Sequence, residues 1–217
     1  MSRTTIEQHE VSFNAEKDLK AVGDQIIMKV VRNEKTVGGL ILPKGEKTSS
    51  CIGKVISVGH GYTAPKTGEL FPLPILAGDH VVTMEYMGHR MELRSGDYRI
   101  VREHGIWCML YGKFDNDRVE VTTVVPYNGK ILVNPIVKEK TDGGIFLPSD
   151  PKTQFQFADV VTVGYGWRDM DYGNFNRVDV SGGDRVIMRR YAGSQITVKG
   201  KELRIIDRQD VLAVVEE

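Results

Sequence analysis

Five histidines, two cysteines and a matched pair of aspartates are the side chains of this sequence best suited to chemistry. His9, His60, His80, His89 and His104 could ligate a metal through imidazole nitrogen, but all lie in the first half. No two of them have the close spacing of a local metal motif. Cys51 and Cys108 are too few for a disulfide scaffold and lack metal-ligand spacing, so they read as reduced thiols. Asp79 and Asp184 each follow a glycine and could serve as acids; a turn before a strand explains them better. No residue is assigned a catalytic role, and no metal or cofactor site is expected.

The chemistry left is apolar recognition. The stretch "KTVGGLILPK" (Lys35 to Lys44) sets Gly38 and Gly39 before Leu40, Ile41 and Leu42. "KTDGGIFLPS" (Lys140 to Ser149) sets Gly143 and Gly144 before Ile145, Phe146 and Leu147. Taken alone, each fits a turn leading into a buried strand. Both, however, sit between polar, charged segments, "RNEKTV" and "KGEKTSS" around the first, "KEKTD" and "SDPKTQ" around the second. A buried hairpin seldom needs so much flexible chain on both sides. The pattern fits a mobile loop that displays a short apolar anchor to another protein.

The two stretches belong to a longer repeat. Gly38 and Gly143 are 105 positions apart, and the same offset aligns Ile26 with Ile131 and "VISVGHG" with "VVTVGYG". It also aligns Gly78-Asp79 with Gly183-Asp184, Tyr86 with Tyr191, and Arg99-Ile100 with Arg204-Ile205, without a gap. Such self-similarity governs every later reading. The chain is a tandem duplication of two small domains.

The expected boundaries are a polar N-terminal extension over 1–20, a first domain over 21–112, a linker and entering strand over 113–125, and a second domain over 126–217. Each copy carries short β-branched or aromatic runs, "QIIMKVV", "GKVISVG" and "DHVVTMEY" in the first, "KILVNPIV", "ADVVTVG" and "DRVIMRRY" in the second. Gly, Asp, Asn and Pro punctuate them, as in an all-β barrel or sandwich of antiparallel strands.

Of 217 residues, 29 are basic and 29 acidic, 14 against 13 up to Gly112 and 15 against 16 after it, so neither half is a basic module and binding to nucleic acid has no electrostatic support. No apolar run approaches the roughly 20 residues of a membrane helix. The beginning "MSRTTIEQHE" is too polar for a signal peptide, so the expected location is cytoplasmic, in a bacterial or virus-infected cell, with an organelle stroma also compatible.

The order of these elements resembles the ten-kilodalton co-chaperonins, the GroES-like lids of group I chaperonins. The second copy gives "KILVNPIV", "GGIFL", "ADVVTVGYG", "SGGDRVIM" and "DVLAVVEE"; the first gives "QIIMKVV", "GGLIL", "GKVISVGHG", "LAGDHVVT" and "GIWCML". Two such domains in one chain are similar to the double co-chaperonins of chloroplasts. The resemblance implies two tandem GroES-like small β-barrels, each with a long mobile loop and a roof hairpin. It implies a ring that caps a group I (GroEL-like) chaperonin in a nucleotide-dependent way. The glycine pairs and the triplets Leu40-Ile41-Leu42 and Ile145-Phe146-Leu147 would enter an apolar groove of that partner, which itself binds the ATP.

Two departures stand out. "GIWCML" replaces an aliphatic strand that helps join ring subunits in the family. The segments "YTAPKTGELFPLPI" and "WRDMDYGNFNRVDV" fall at the roof hairpin yet differ from each other. A medium-chain dehydrogenase shares the barrel, but no strand leads into G-x-G-x-x-G and two cysteines cannot supply its zinc ligands. A ring or shell protein, viral for instance, that uses the loops for self-assembly is the remaining alternative.

Overall fold

In the computed structural model the described residues are 14–31, 40–41, 50–84, 86–114, 119–136 and 154–216. A short helix, α1 (Ala15–Asp18), precedes ten strands: β1 (Gln25–Val30), β2 (Leu40–Ile41), β3 (Ser50–Val58), β4 (Tyr62–Thr63), β5 (Leu70–Phe71), β6 (His80–Met84), β7 (His89–Leu93), β8 (Gly96–Arg102), β9 (Ile106–Phe114) and β10 (Val119–Pro126). Eight more follow: β11 (Lys130–Pro135), β12 (Phe155–Val163), β13 (Trp167–Arg168), β14 (Phe175–Asn176), β15 (Arg185–Arg189), β16 (Ser194–Val198), β17 (Lys201–Asp207) and β18 (Val211–Val215). The all-β expectation holds.

The strands form two seven-stranded sheets, in the orders β10-β9-β6-β3-β1-β8-β7 and β18-β15-β12-β11-β17-β16-β2. The two dissimilar roof segments both form small hairpins, β4 with β5 and β13 with β14. The chain divides into two compact units. The first comprises residues 1–34, 44–110 and 168–174, and the second 35–43, 111–167 and 175–217.

Each unit is built on the same apolar positions. Ile26, Met28, Val55, Val81 and Val101 are buried in the first, and their counterparts Ile131, Val133, Val160, Val186 and Ile206 in the second. Spacing of two along a strand puts Ile26 and Met28 on one face, as the pleat requires. The backbone repeats as faithfully as the side chains. Bulges fall between Ile27 and Met28 and between Leu132 and Val133, and 3-10 turns span Glu103–Gly105 and Arg208–Asp210. Gly88 and Gly193 take φ of 73° and 71°, and an added Cβ would lie 2.2 Å from Ile100 O and 2.0 Å from Ile205 O. Only glycine fits such an approach in the left-handed region.

Candidate functional site

The two anchor-bearing segments leave their sheets from equivalent points. Val31 N–H donates to Ile52 O (2.9 Å) just before the first, and Ile136 N–H donates to Phe157 O (2.9 Å) just before the second. Behind those points, β1 pairs with β3 and β8, and β11 with β12 and β17, so each segment follows directly on a strand that is paired on both sides. Of the expected binding residues, Gly38, Gly39, Leu42, Gly143, Gly144, Ile145, Phe146 and Leu147 lie outside the described residues. Leu40 and Ile41 are described. They form β2, whose backbone pairs with β16 in the second unit, Ile41 opposite Thr197 and Leu40 opposite Val198. Nothing in the local pattern of "GGLIL" reveals this pairing, since its partner strand lies about 155 residues further on.

Asp79 and Asp184 prove to be turn residues. The Asp79 carboxylate accepts the Leu76 N–H at 2.8 Å, and the Asp184 carboxylate accepts the Ser181 N–H at 2.8 Å. Each closes the turn that leads into β6 or β15, which is the reading their position after glycine favoured. Cys51 and Cys108 are buried and form no disulfide. Among the described residues no group of three His, Cys, Asp or Glu side chains could hold a metal ion.

One charged position differs between the copies. Lys54 on β3 stands opposite His80 on β6, whereas Asp159 on β12 stands opposite Arg185 on β15, with a 2.9 Å ion pair. Burial, and then Lys54, hold the His80 imidazole below its usual range, with Asp79 pulling the other way. The first copy thus sets two basic side chains opposite each other where the second sets an ion pair.

The sheet ends also differ. The distal half of β9 and β10 run side by side in the second unit, where Thr122 Oγ1 donates to Tyr111 O (3.0 Å). The corresponding strand β18 has β15 on one side and no strand on the other among the described residues. Its Leu212 and Val214 are about half exposed. The "VEVTT" run, read as an entering strand, thus lies within a strand that flanks the "GIWCML" strand, which the sequence could not show.

The profile of the chaperonin 10 kDa subunit matches this sequence twice, over residues 18–110 and again over 123–215. The chain belongs to the chaperonin 10 family. Similar proteins include the 20 kDa chloroplastic chaperonin of Arabidopsis thaliana, 27% identical over 200 residues, which cover 91% of this chain and 76% of that protein. The co-chaperonin GroES of Petrotoga mobilis is 43% identical over 96 residues, 44% of this chain and 99% of the relative. That of Caulobacter vibrioides is 39% identical over 92 residues, 42% of this chain and 95% of its own length. A single-domain chaperonin 10 relative therefore corresponds to one copy, and the chloroplastic protein to both. Among the described residues, no helix is long and apolar enough to cross a membrane.

Proposed function

We propose that this chain is a co-chaperonin that caps a group I (GroEL-like) chaperonin, holding it through the apolar triplets Leu40-Ile41-Leu42 and Ile145-Phe146-Leu147. The observation that carries the reading is the repeated one: two chaperonin 10 copies hang a glycine-aliphatic segment from the same backbone position, at Val31 and at Ile136. Burying three such side chains is worth about 5–9 kcal/mol gross, at roughly 1.5–3 kcal/mol each. Fixing the backbone of the segment opposes this by about 1–2 kcal/mol per residue. One segment therefore binds weakly, and several held in one assembly bind by avidity. Weak individual contacts let nucleotide-driven movement of the partner release the whole lid, so this chain needs no nucleotide site of its own.

Self-association into a ring follows the same reading. The β18 edge, with Leu212 and Val214 exposed, offers a strand-pairing surface of the kind β10 occupies beside β9. The experiment is co-purification with a GroEL-type chaperonin in the presence and absence of ATP. Nucleotide-dependent capture of the wild type, lost when Ile41→Ser and Phe146→Ser are combined in a folded variant, is the expected result. Capture by the double variant at wild-type affinity would refute the assignment of the anchors.

A further inference from the structure

The outer edge of the second unit's sheet does something the lid function does not call for. β16 has β17 on one side, with five opposed residue pairs, and β2 on the other. Its counterpart in the first copy, β7, ends its sheet with no strand beyond it among the described residues. The side chains of the two edges differ in kind. β7 reads His89-Arg90-Met91-Glu92-Leu93, and Arg90 lies 3.0 Å from Glu92 and 3.3 Å from Asp97. Charges along an edge disfavour a further strand. β16 reads Ser194-Gln195-Ile196-Thr197-Val198, with no charge and with β-branched residues at its outer end. Lys199 and Gly200, at φ 50° and 79°, connect it to β17 in the two-residue turn whose twist matches a hairpin. The β16 edge is therefore held by its own hairpin with β17, through contacts that do not involve β2.

We propose that the β16 edge is an internal docking strip, which takes Leu40–Ile41 as an added strand and holds the first anchor on the second unit until a partner's groove removes it. The last clause rests on the co-chaperonin reading; the docking itself does not. Edge addition works through main-chain hydrogen bonds, so it accepts a short extended segment with little demand on side chains. Two paired residues amount to a population ratio of about 5 to 30 in favour of the held form. Apparent affinity of the first anchor for any partner falls by about the same factor, because only the released fraction binds.

The first test uses the full chain without any partner. Thr197→Glu gives β16 the charge that β7 carries at Glu92. Hydrogen exchange at the Leu40 and Ile41 amides is expected to accelerate about 10-fold, with Ile196 and Leu203 still protected. Unchanged exchange at 40–41 overturns the proposal. Should Thr197→Glu loosen the hairpin itself, oxidative cross-linking decides the matter. Ile41→Cys with Thr197→Cys, and Leu40→Cys with Val198→Cys, are expected to close faster than the out-of-register pair Ile41→Cys with Gln195→Cys. Equal rates overturn the docking; Cys51 and Cys108 are buried and do not compete. Neither measurement needs a chaperonin, so failure here is distinct from failure of the lid function. With a GroEL-type chaperonin and a Phe146→Ser background, Thr197→Glu is expected to bind about 5- to 30-fold faster. No change in rate, with the strand shown to be released, would refute the holding role.

Discussion

Replacing Gly53 by alanine tests whether the two copies hold their first loop-bearing strand by complementary packing. A Cβ at Gly53 would lie 2.7 Å from Met28 Sδ, 2.8 Å from Cγ and 3.0 Å from Cβ. Carbon contacts settle near 3.5–4.0 Å, so about 0.5–1 Å of movement is required. Met28 is fully buried and has little room to yield. Overpacking of this kind costs about 1–3 kcal/mol, offset by about 0.4–1 kcal/mol because alanine restricts the unfolded chain. The net expectation is a loss of about 1–2 kcal/mol. Met28→Val alone removes one heavy atom net, withdraws the long thioether arm and leaves a void, a loss of about 1–2 kcal/mol. Together the two changes reproduce Val133 with Ala158, the pair the second unit uses, both buried. The double variant should return to within about 0.5 kcal/mol of wild type, a coupling of about 2–3 kcal/mol. Each unit has one tryptophan, Trp107 in the first and Trp167 in the second. Urea unfolding followed by Trp107 fluorescence in a Trp167→Phe background therefore reports the first unit. Single variants should lower the midpoint by about 1 M at an unchanged slope. Additive losses in the double variant would refute the packing argument.

Other expectations follow from the same frame. Gly193→Ala should destabilise the second unit by about 2–4 kcal/mol, since the left-handed backbone and the approach to Ile205 O both oppose a side chain; thermal unfolding of the isolated change measures it. His80 titrates below the ordinary imidazole value of 6.5, so the folded first unit prefers it neutral, and stability present above that value should fall as pH drops through the folded pKa. Lys54→Asp, which copies Asp159 opposite Arg185, should raise the His80 pKa and flatten that acid loss, read by NMR titration of the imidazole alongside urea midpoints at several pH values. Arg208→Ala should cost the second unit about 0.5–1 kcal/mol, because its guanidinium sits 3.5 Å over the Trp167 ring, and Trp167 emission should change with it.

Local signals carried most of the fold. The 105-residue offset, the β-branched runs and the Gly-Asp turns are short-range features, and each became the strand or turn its residues favour. What could not be read locally was which edges are occupied. β2 pairs with a strand from the other end of the chain, and two residues of a polar segment have too little pattern to announce a strand. The charge contrast between "HRMEL" and "SQITV" is written in the sequence. It acquires meaning only once both runs are known to be edges. The anchor residues beyond Leu40 and Ile41 rest on the sequence argument and the family, because their role is defined by a partner's groove rather than by this chain's own packing.

The shared departure points at Val31 and Ile136 carry one more implication, about length. From Val31 to Ser50 and from Ile136 to Phe155 the intervening chain has the same number of residues, although about half of those residues differ between the copies. Surface connections ordinarily absorb insertions and deletions with ease. Here two sibling segments exchanged about half of their residues while agreeing in count, and the anchor keeps its distance along the chain from a fixed point on the sheet. Eight intervening residues set a tether of about 30 Å at full stretch. Such a tether behaves as a ruler: adding or removing a residue should misplace the hook even when every contact it makes is left intact.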